Sequence, residues 1–469
     1  MPARDAVVRL LCSPSDRPHW ELAPVDEGLQ ALPFVSQDTL AALQEINLPI
    51  GTVKPATVEA AVRQAHALRR AWDLGTVNLE ESGAVEVSAL ASCTTLHTIY
   101  LDNCEKVTDV SPLASCTALR RLFLRGCTGV TDLSPLASFA ALHTLNLDGC
   151  RGPPGGVTDV SPLIGCVALH TLSLGNCWGV TDVSALARCA KLHTLDLNNC
   201  GNLAHVNALG GCPCVERLDL SFCGDVMDAS ALAGCPFLHT LDLSNTGVSD
   251  VSAFAGCATL HTLRLRSCTQ LEDVSPLANC AALHTLNLDG AWGYILDELS
   301  ALARCASLRT LDLSYCDTLE DVSALAGFAA LRKLNLLNCE ALTDVSALAA
   351  CPALHTLHLA GCERVTDVSA LAGCATLHTL YLSGTGVADV SALAGCPALH
   401  TLYLSGCERV TDVSALAGCA ALHSLYLYGT GVSDVSALAG CATLHTLYLR
   451  GTNVTDVSAL DGIANLTGP

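Results

Sequence analysis

The 469 residues are 51% apolar, 15% charged and 4% aromatic, with 45 acidic against 24 basic side chains and a formal charge of −21. That balance argues against nucleic acid and against anionic membrane surfaces, because phosphate-rich partners need a basic face, and it favours a basic or neutral protein partner. The apolar residues are spaced rather than clustered, and no run of about 18 uncharged apolar residues exists, so they belong to a core and not to a membrane span.

The first 73 residues differ from the rest. "MPARDAVVRLLCSPSDRPHW" is a poor signal peptide, since Arg9 interrupts its only apolar stretch. The segments 36–46 and 55–72 place apolar residues on one face at helical spacing. Residues 1–73 are therefore expected to form a helical N-terminal cap, or a docking region, over the first coil of whatever follows. At the other end, "LDGIANLTGP" lacks the apolar tail of a lipid-anchor signal. Together these features predict a soluble protein of a reducing, cytoplasmic compartment, with association to a cytoskeletal or other assembly compatible with them.

From residue 74 to 469 the chain is a repeat. With the first Leu of "LHTL" as position one, copies begin at Leu96, Leu119, Leu142, Leu169, Leu192, Val215, Leu238, Leu260, Leu283, Leu308, Leu331, Leu354, Leu377, Leu399, Leu422 and Leu444. A degenerate copy at Leu74 makes 17. Between the sixteen regular copies most intervals are 23 residues and three are 22; two are longer, through insertions around Pro153–Pro154 and near Trp292 and Tyr294. Insertions confined to one point of a repeat map to one face of a solenoid.

The pattern L-x-x-L-x-L-x-x-C resembles the leucine-rich repeat signature. The second half of each copy, as in "VTDVSPLASCTAL" at 107–119, resembles the short repeats of bacterial internalins and of the leucine-rich regulator of protein phosphatase 1, and the cysteine-containing, alanine-rich style resembles leucine-rich repeat proteins of kinetoplastids. The resemblance implies an α/β solenoid, a horseshoe with a parallel sheet on its concave face and short helical turns on its convex face. Residue alternation agrees: in "LHTLYL", Leu402 and Leu404 point one way and Thr401 and Tyr403 the other. Ser-Pro pairs such as Ser111–Pro112 and Ser275–Pro276 read as an N-cap serine followed by proline at the first helical position.

Three columns carry chemically capable side chains. Of 27 cysteines, fourteen lie three residues before position one, where the remaining copies have Phe139 and Phe328, so the slot is apolar and buried. Eleven lie at position nine, replaced by Thr246, Ala291, Thr385, Thr430 or Thr452, and each internal threonine copy precedes a 22-residue interval. Cysteine there is a small filler with a weak S–H donor. Histidine occupies position two in 12 of 16 copies, exchanged for Arg120, Glu216, Arg309 and Arg332, as expected of a solvated edge. Aspartate precedes Val-Ser, or its variants, in 14 of 16 copies, the signature of a local capping device and not of a singular catalytic carboxylate. No cofactor, metal site or catalytic constellation is expected.

Function should then lie where copies vary. Position five runs from Tyr100 and Phe123 through Asn146, Ser173, Asp196, Asp219, Asp242 and Arg264 to a run of four tyrosines, Tyr381, Tyr403, Tyr426 and Tyr448, with Tyr428 beside them. The tyrosine ladder is a candidate partner-binding surface. Asp196, Asp219 and Asp242 form a second, suited to a basic segment and modulated by Arg264. These features predict a non-enzymatic protein-interaction scaffold. The alternatives are a substrate-recognition subunit of a ubiquitin ligase and an internalin-like surface adhesin.

Overall fold

The computed structural model describes residues 76–81, 84, 86–151, 155–291, 298–460 and 463–467. The helices expected at 36–46 and 55–72 and the insertions at Pro153–Pro154 and Trp292–Tyr294 lie outside the described residues. The chain divides into two compact units, Met1–Val226 with Gly234–Leu238, and Met227–Ala233 with His239–Pro469.

Each unit is a leucine-rich repeat solenoid built from one recurring coil. Among the described residues, seven three-residue strands of the first run from Thr76–Asn78 to Arg217–Asp219, and eleven of the second run from Thr240–Asp242 to Asn465–Thr467. Strands this short cannot persist alone. They persist because consecutive coils pair in parallel and in register, for example Leu122 opposite Leu145 and Leu402 opposite Leu425. The alternation read from "LHTLYL" is what the coil does: Leu399, Leu402 and Leu404 are wholly buried, while Thr401 and Tyr403 are half-buried on the outer side of the sheet. A last strand, Asn465–Thr467, pairs with Thr446–Tyr448 and carries Leu466 into register with Leu447.

The opposite side of the coil is a five-residue turn such as Ser414–Gly418, with Leu416 buried beneath it. It is 3-10 rather than α, closed by i to i−3 bonds: Leu416 N–H donates to Val413 at 3.0 Å and Cys419 N–H to Leu416 at 2.9 Å. A segment with room for a single turn gains more from the tighter winding. The serine is not the cap. Val110 precedes the turn as its cap residue, with no side-chain bond, and Ser111 and Pro112 are the first two residues inside it. The capping atom belongs to the aspartate column instead. In all fourteen copies, from Asp109 to Asp456, the carboxylate Oδ1 accepts the backbone N–H of the residue two places on, at 2.7–2.9 Å.

Both cysteine columns tie coils together. At position nine, Cys127 Sγ–H donates to the Leu101 carbonyl of the preceding coil at 3.0 Å and Cys362 to Leu336 at 2.9 Å. At the other column, Cys280 donates to Phe254 at 2.8 Å and Cys419 to Leu393 at 3.2 Å. Threonine at position nine turns inward on its own coil: Thr246, Thr385 and Thr430 hydroxyls donate to the carbonyl three residues back at 2.6–2.8 Å. A hydroxyl folded back this way closes a shorter loop, which accounts for the 22-residue interval that follows each of them.

Cysteines of the described residues are unbridged. Burial pushes the thiols of Cys127, Cys166 and Cys396 up to about 12, so few thiolates exist at neutral pH. Titration of the native protein with a thiol reagent at pH 8 should label the half-buried Cys93, Cys214 and Cys257 first among the described cysteines. The remainder should react only on denaturation; fast labelling of all of them in the native state would contradict this packing.

Candidate interaction surface

Each strand presents positions three and five outward, with position two at its start and position seven at its end. Position five performs a structural task that sequence reasoning did not find. In eight copies an Asp or Asn there accepts the N–H of position seven at 2.8–3.1 Å, closing the strand end: Asn78, Asn146, Asp196, Asp219, Asp242, Asn287, Asp312 and Asn335. The candidate acidic residues are thus partly committed. Asp196 also accepts the Asn198 side-chain amide at 2.6 Å and the Ser173 hydroxyl at 3.2 Å. Asp196 and Asp219 sit in register on neighbouring strands of the first unit. In the second unit, Asp242 faces the Arg264 guanidinium at 3.5 Å, and Arg266 meets Asp289 at 3.1 Å.

Position eight is a corner. All seventeen described copies have positive φ, between 53° and 75°. Thirteen are Gly or Asn, which tolerate this conformation; the others are Glu81, Phe222, Ser267 and Tyr315. That Gly/Asn preference is the signal in the sequence that marks the corner. The corner lets the position-eight amide continue the ladder, as in Gly406 N–H to the Tyr428 carbonyl at 2.7 Å. Phe222 and Tyr315, 56% and 46% exposed, hold bulky side chains at the corner.

The four tyrosines stack face to face. Ring centroids are 4.5 Å apart for Tyr381–Tyr403, 4.3 Å for Tyr403–Tyr426 and 4.8 Å for Tyr426–Tyr448, with interplanar angles of 6–12°. His358 extends the stack by one rung, 4.4 Å from Tyr381. Tyr428 projects from position seven, 55% exposed. Burial in the stack, reinforced by Tyr426 and Tyr381, pushes the Tyr403 hydroxyl up to about 12. A second stack, Tyr100 on Phe123 at 4.6 Å, occupies position five of the first unit.

The histidine column is also stacked. Five rungs run from His355 to His445 with centroids 4.7–5.1 Å apart, the last pair tilted by 31°, and shorter runs join His143, His170 and His193, and His239, His261 and His284. At His143, His170, His193, His261 and His284, Nδ1 lies 2.5–2.6 Å from the carbonyl two residues back. A carbonyl only accepts, so Nδ1 carries the hydrogen. Parallel rings hold their Nε2 atoms parallel rather than convergent, and among the described residues no group of three or more ligand-type side chains is arranged to hold a metal.

Family models for leucine-rich repeats match residues 94–138 and 375–418 as two-copy units, and 234–255 and 304–326 as single repeats. A solved leucine-rich repeat protein of Leptospira interrogans is 16% identical, with a TM-score of 0.54 over 83% of this chain and 86% of that one. TLR13, solved with ssRNA13, is 19% identical with a TM-score of 0.55; the match spans 83% of this chain and 61% of that one, less than two thirds of its length. An internalin of Listeria monocytogenes is 21% identical with a TM-score of 0.44, over 73% and 83%. No curated protein matches the chain in sequence. The chain is a leucine-rich repeat protein.

Two consequences can be measured. Burial and then the neighbouring imidazolium charges lower the proton affinity of His378 and His400 below the usual histidine value. The unfolded chain therefore takes up more protons as pH falls, and the stability these groups contribute is full above about pH 6.5 and lost below it. Melting temperature should drop between pH 7.5 and pH 5, and an unchanged value would remove the column from the account. At the corner, Gly406→Ala should cost about 1 kcal/mol from φ alone, because its Cβ would meet only ordinary contacts at 3.7 Å and beyond. Tyr315→Asn should be neutral or stabilising in the same denaturation assay.

Proposed function

We propose that the protein is a non-enzymatic interaction scaffold that engages a protein partner on the outer face of its parallel sheet. The observation that carries this reading is the tyrosine stack. At Tyr381, Tyr403, Tyr426 and Tyr448 the fifth position gives up the turn-closing bond that Asp or Asn makes elsewhere, so local backbone demands do not account for these residues. Stacked tyrosines, held rigid before any partner arrives, offer large contact area at little further entropic cost. Tyr428 widens the same surface.

In the first unit, Asp196 and Asp219 support a separate contact with a basic segment, in line with the whole-chain charge; in the second, Asp242, tempered by Arg264, supports one as well. The two columns of buried, unbridged thiols support a reducing compartment. No helix among the described residues is long and apolar enough to cross a membrane.

The test is quantitative capture of partners by wild type and by a variant with Tyr381, Tyr403, Tyr426 and Tyr448 changed to Ala. Aromatic anchors commonly contribute ~2 kcal/mol or more, so a true partner should bind at least about tenfold more weakly. A set of four Phe replacements, which keeps the stack, separates loss of contact from loss of fold. Identical partners and affinities in the Ala variant would refute the reading.

A further inference from the structure

Whole-chain charge and local charge diverge on the face that carries the tyrosines. From Arg332 to Arg450, six consecutive strands present positions two, three, five and seven without one carboxylate among them. The first of these strands carries Arg332 and Lys333, joined by Arg309 at position two of the coil before; the last ends in Arg450. All four side chains are exposed, and none makes an ion pair among the described residues. Elsewhere in the same unit the outward arginines are neutralised, Arg264 by Asp242 and Arg266 by Asp289. Between the cationic ends lie only His, Thr, Ser, Asn, Ala, Leu and Tyr, headed by the His358–Tyr448 stack. The arrangement is an aromatic strip with unpaired cations at both ends, on a chain whose net charge is −21.

We infer that this strip takes an acidic protein segment running across the strands, with its carboxylates at Arg332 and Lys333 at one end and Arg450 at the other and its apolar side chains against the edges of the tyrosine stack. The inference rests on the scaffold reading above and adds to it the charge of the partner. Charge complementarity is the argument: the chain as a whole carries a net charge of −21, whereas the outward positions of this strip hold cations and no carboxylate to repel an acidic segment. A nucleic acid strand would satisfy the cations but not the rings. Single-strand binding uses open aromatic faces on which bases stack, and here the inner ring faces are already covered by one another at 4.3–4.8 Å.

The experiment uses the full chain and three labelled probes of equal length: a Glu-Pro-Leu repeat peptide, a Lys-Pro-Leu repeat peptide and a single-stranded oligouridine. Fluorescence anisotropy should show binding of the acidic peptide alone, weakened by added salt. Lys333→Glu combined with Arg450→Glu should weaken it at least tenfold, while Arg125→Glu, on the first unit, should not change it. Absence of acidic-peptide binding, equal or tighter binding of the basic peptide or of oligouridine, or indifference to the double reversal would overturn the inference. If the Ala variant of the tyrosines loses cellular partners while the double reversal does not, the scaffold reading stands and the charge assignment alone falls.

Discussion

Everything on the outer face depends on one backbone bond, repeated coil after coil. The amide at position six donates to the carbonyl at position five of the next coil, as in Leu382 to Tyr403 at 2.8 Å and Leu404 to Tyr426 at 2.9 Å. It fixes neighbouring strands at one sheet spacing, roughly 5 Å. Any side chain that recurs at one position is thereby delivered to its own copy at that spacing, near the distance at which flat rings stack. The histidine and tyrosine columns need no further device to find each other. Repetition in sequence becomes contact in space.

Inside, the same spacing decides what can fill the core. Leucine supplies the burial, and the two cysteine columns supply something leucine cannot, a donor small enough to reach a carbonyl on the preceding coil without opening a gap. Each bond is weak. Along a structure in which every coil touches only its neighbours, stability is set by interfaces between adjacent coils, and weak bonds at every interface add along the length.

The solenoid was legible because its periods are strict: the leucine spacing gave the inward face, the Phe139 and Phe328 exchanges marked a buried slot, and the aspartate column implied a cap. The serine was misplaced by one residue because Ser-Pro is an ordinary start for an α-helix and the turn here is 3-10, with the carboxylate two residues earlier doing the capping. The turn-closing role of Asp196, Asp219 and Asp242 was not legible, since a varied, polar, outward position reads as recognition surface until the geometry of the strand end is known. Whole-chain charge is a sum over 469 residues and carries no information about which face the charges occupy.

The corner at position eight and the cap at position five belong to the same few bonds of backbone. The strained corners Phe222 and Tyr315 follow the capping aspartates Asp219 and Asp312, whereas every tyrosine of the stack, which offers no cap, is followed by glycine: Gly384, Gly406, Gly429 and Gly451. Three of the four difficult corners, Glu81, Phe222 and Tyr315, follow a capping Asn or Asp, while Ser267 follows Arg264 and has no such pin. A tyrosine transplanted to the Asp312 coil would lack the cap while keeping the strained corner at Tyr315, so lengthening the stack there calls for changing two letters together.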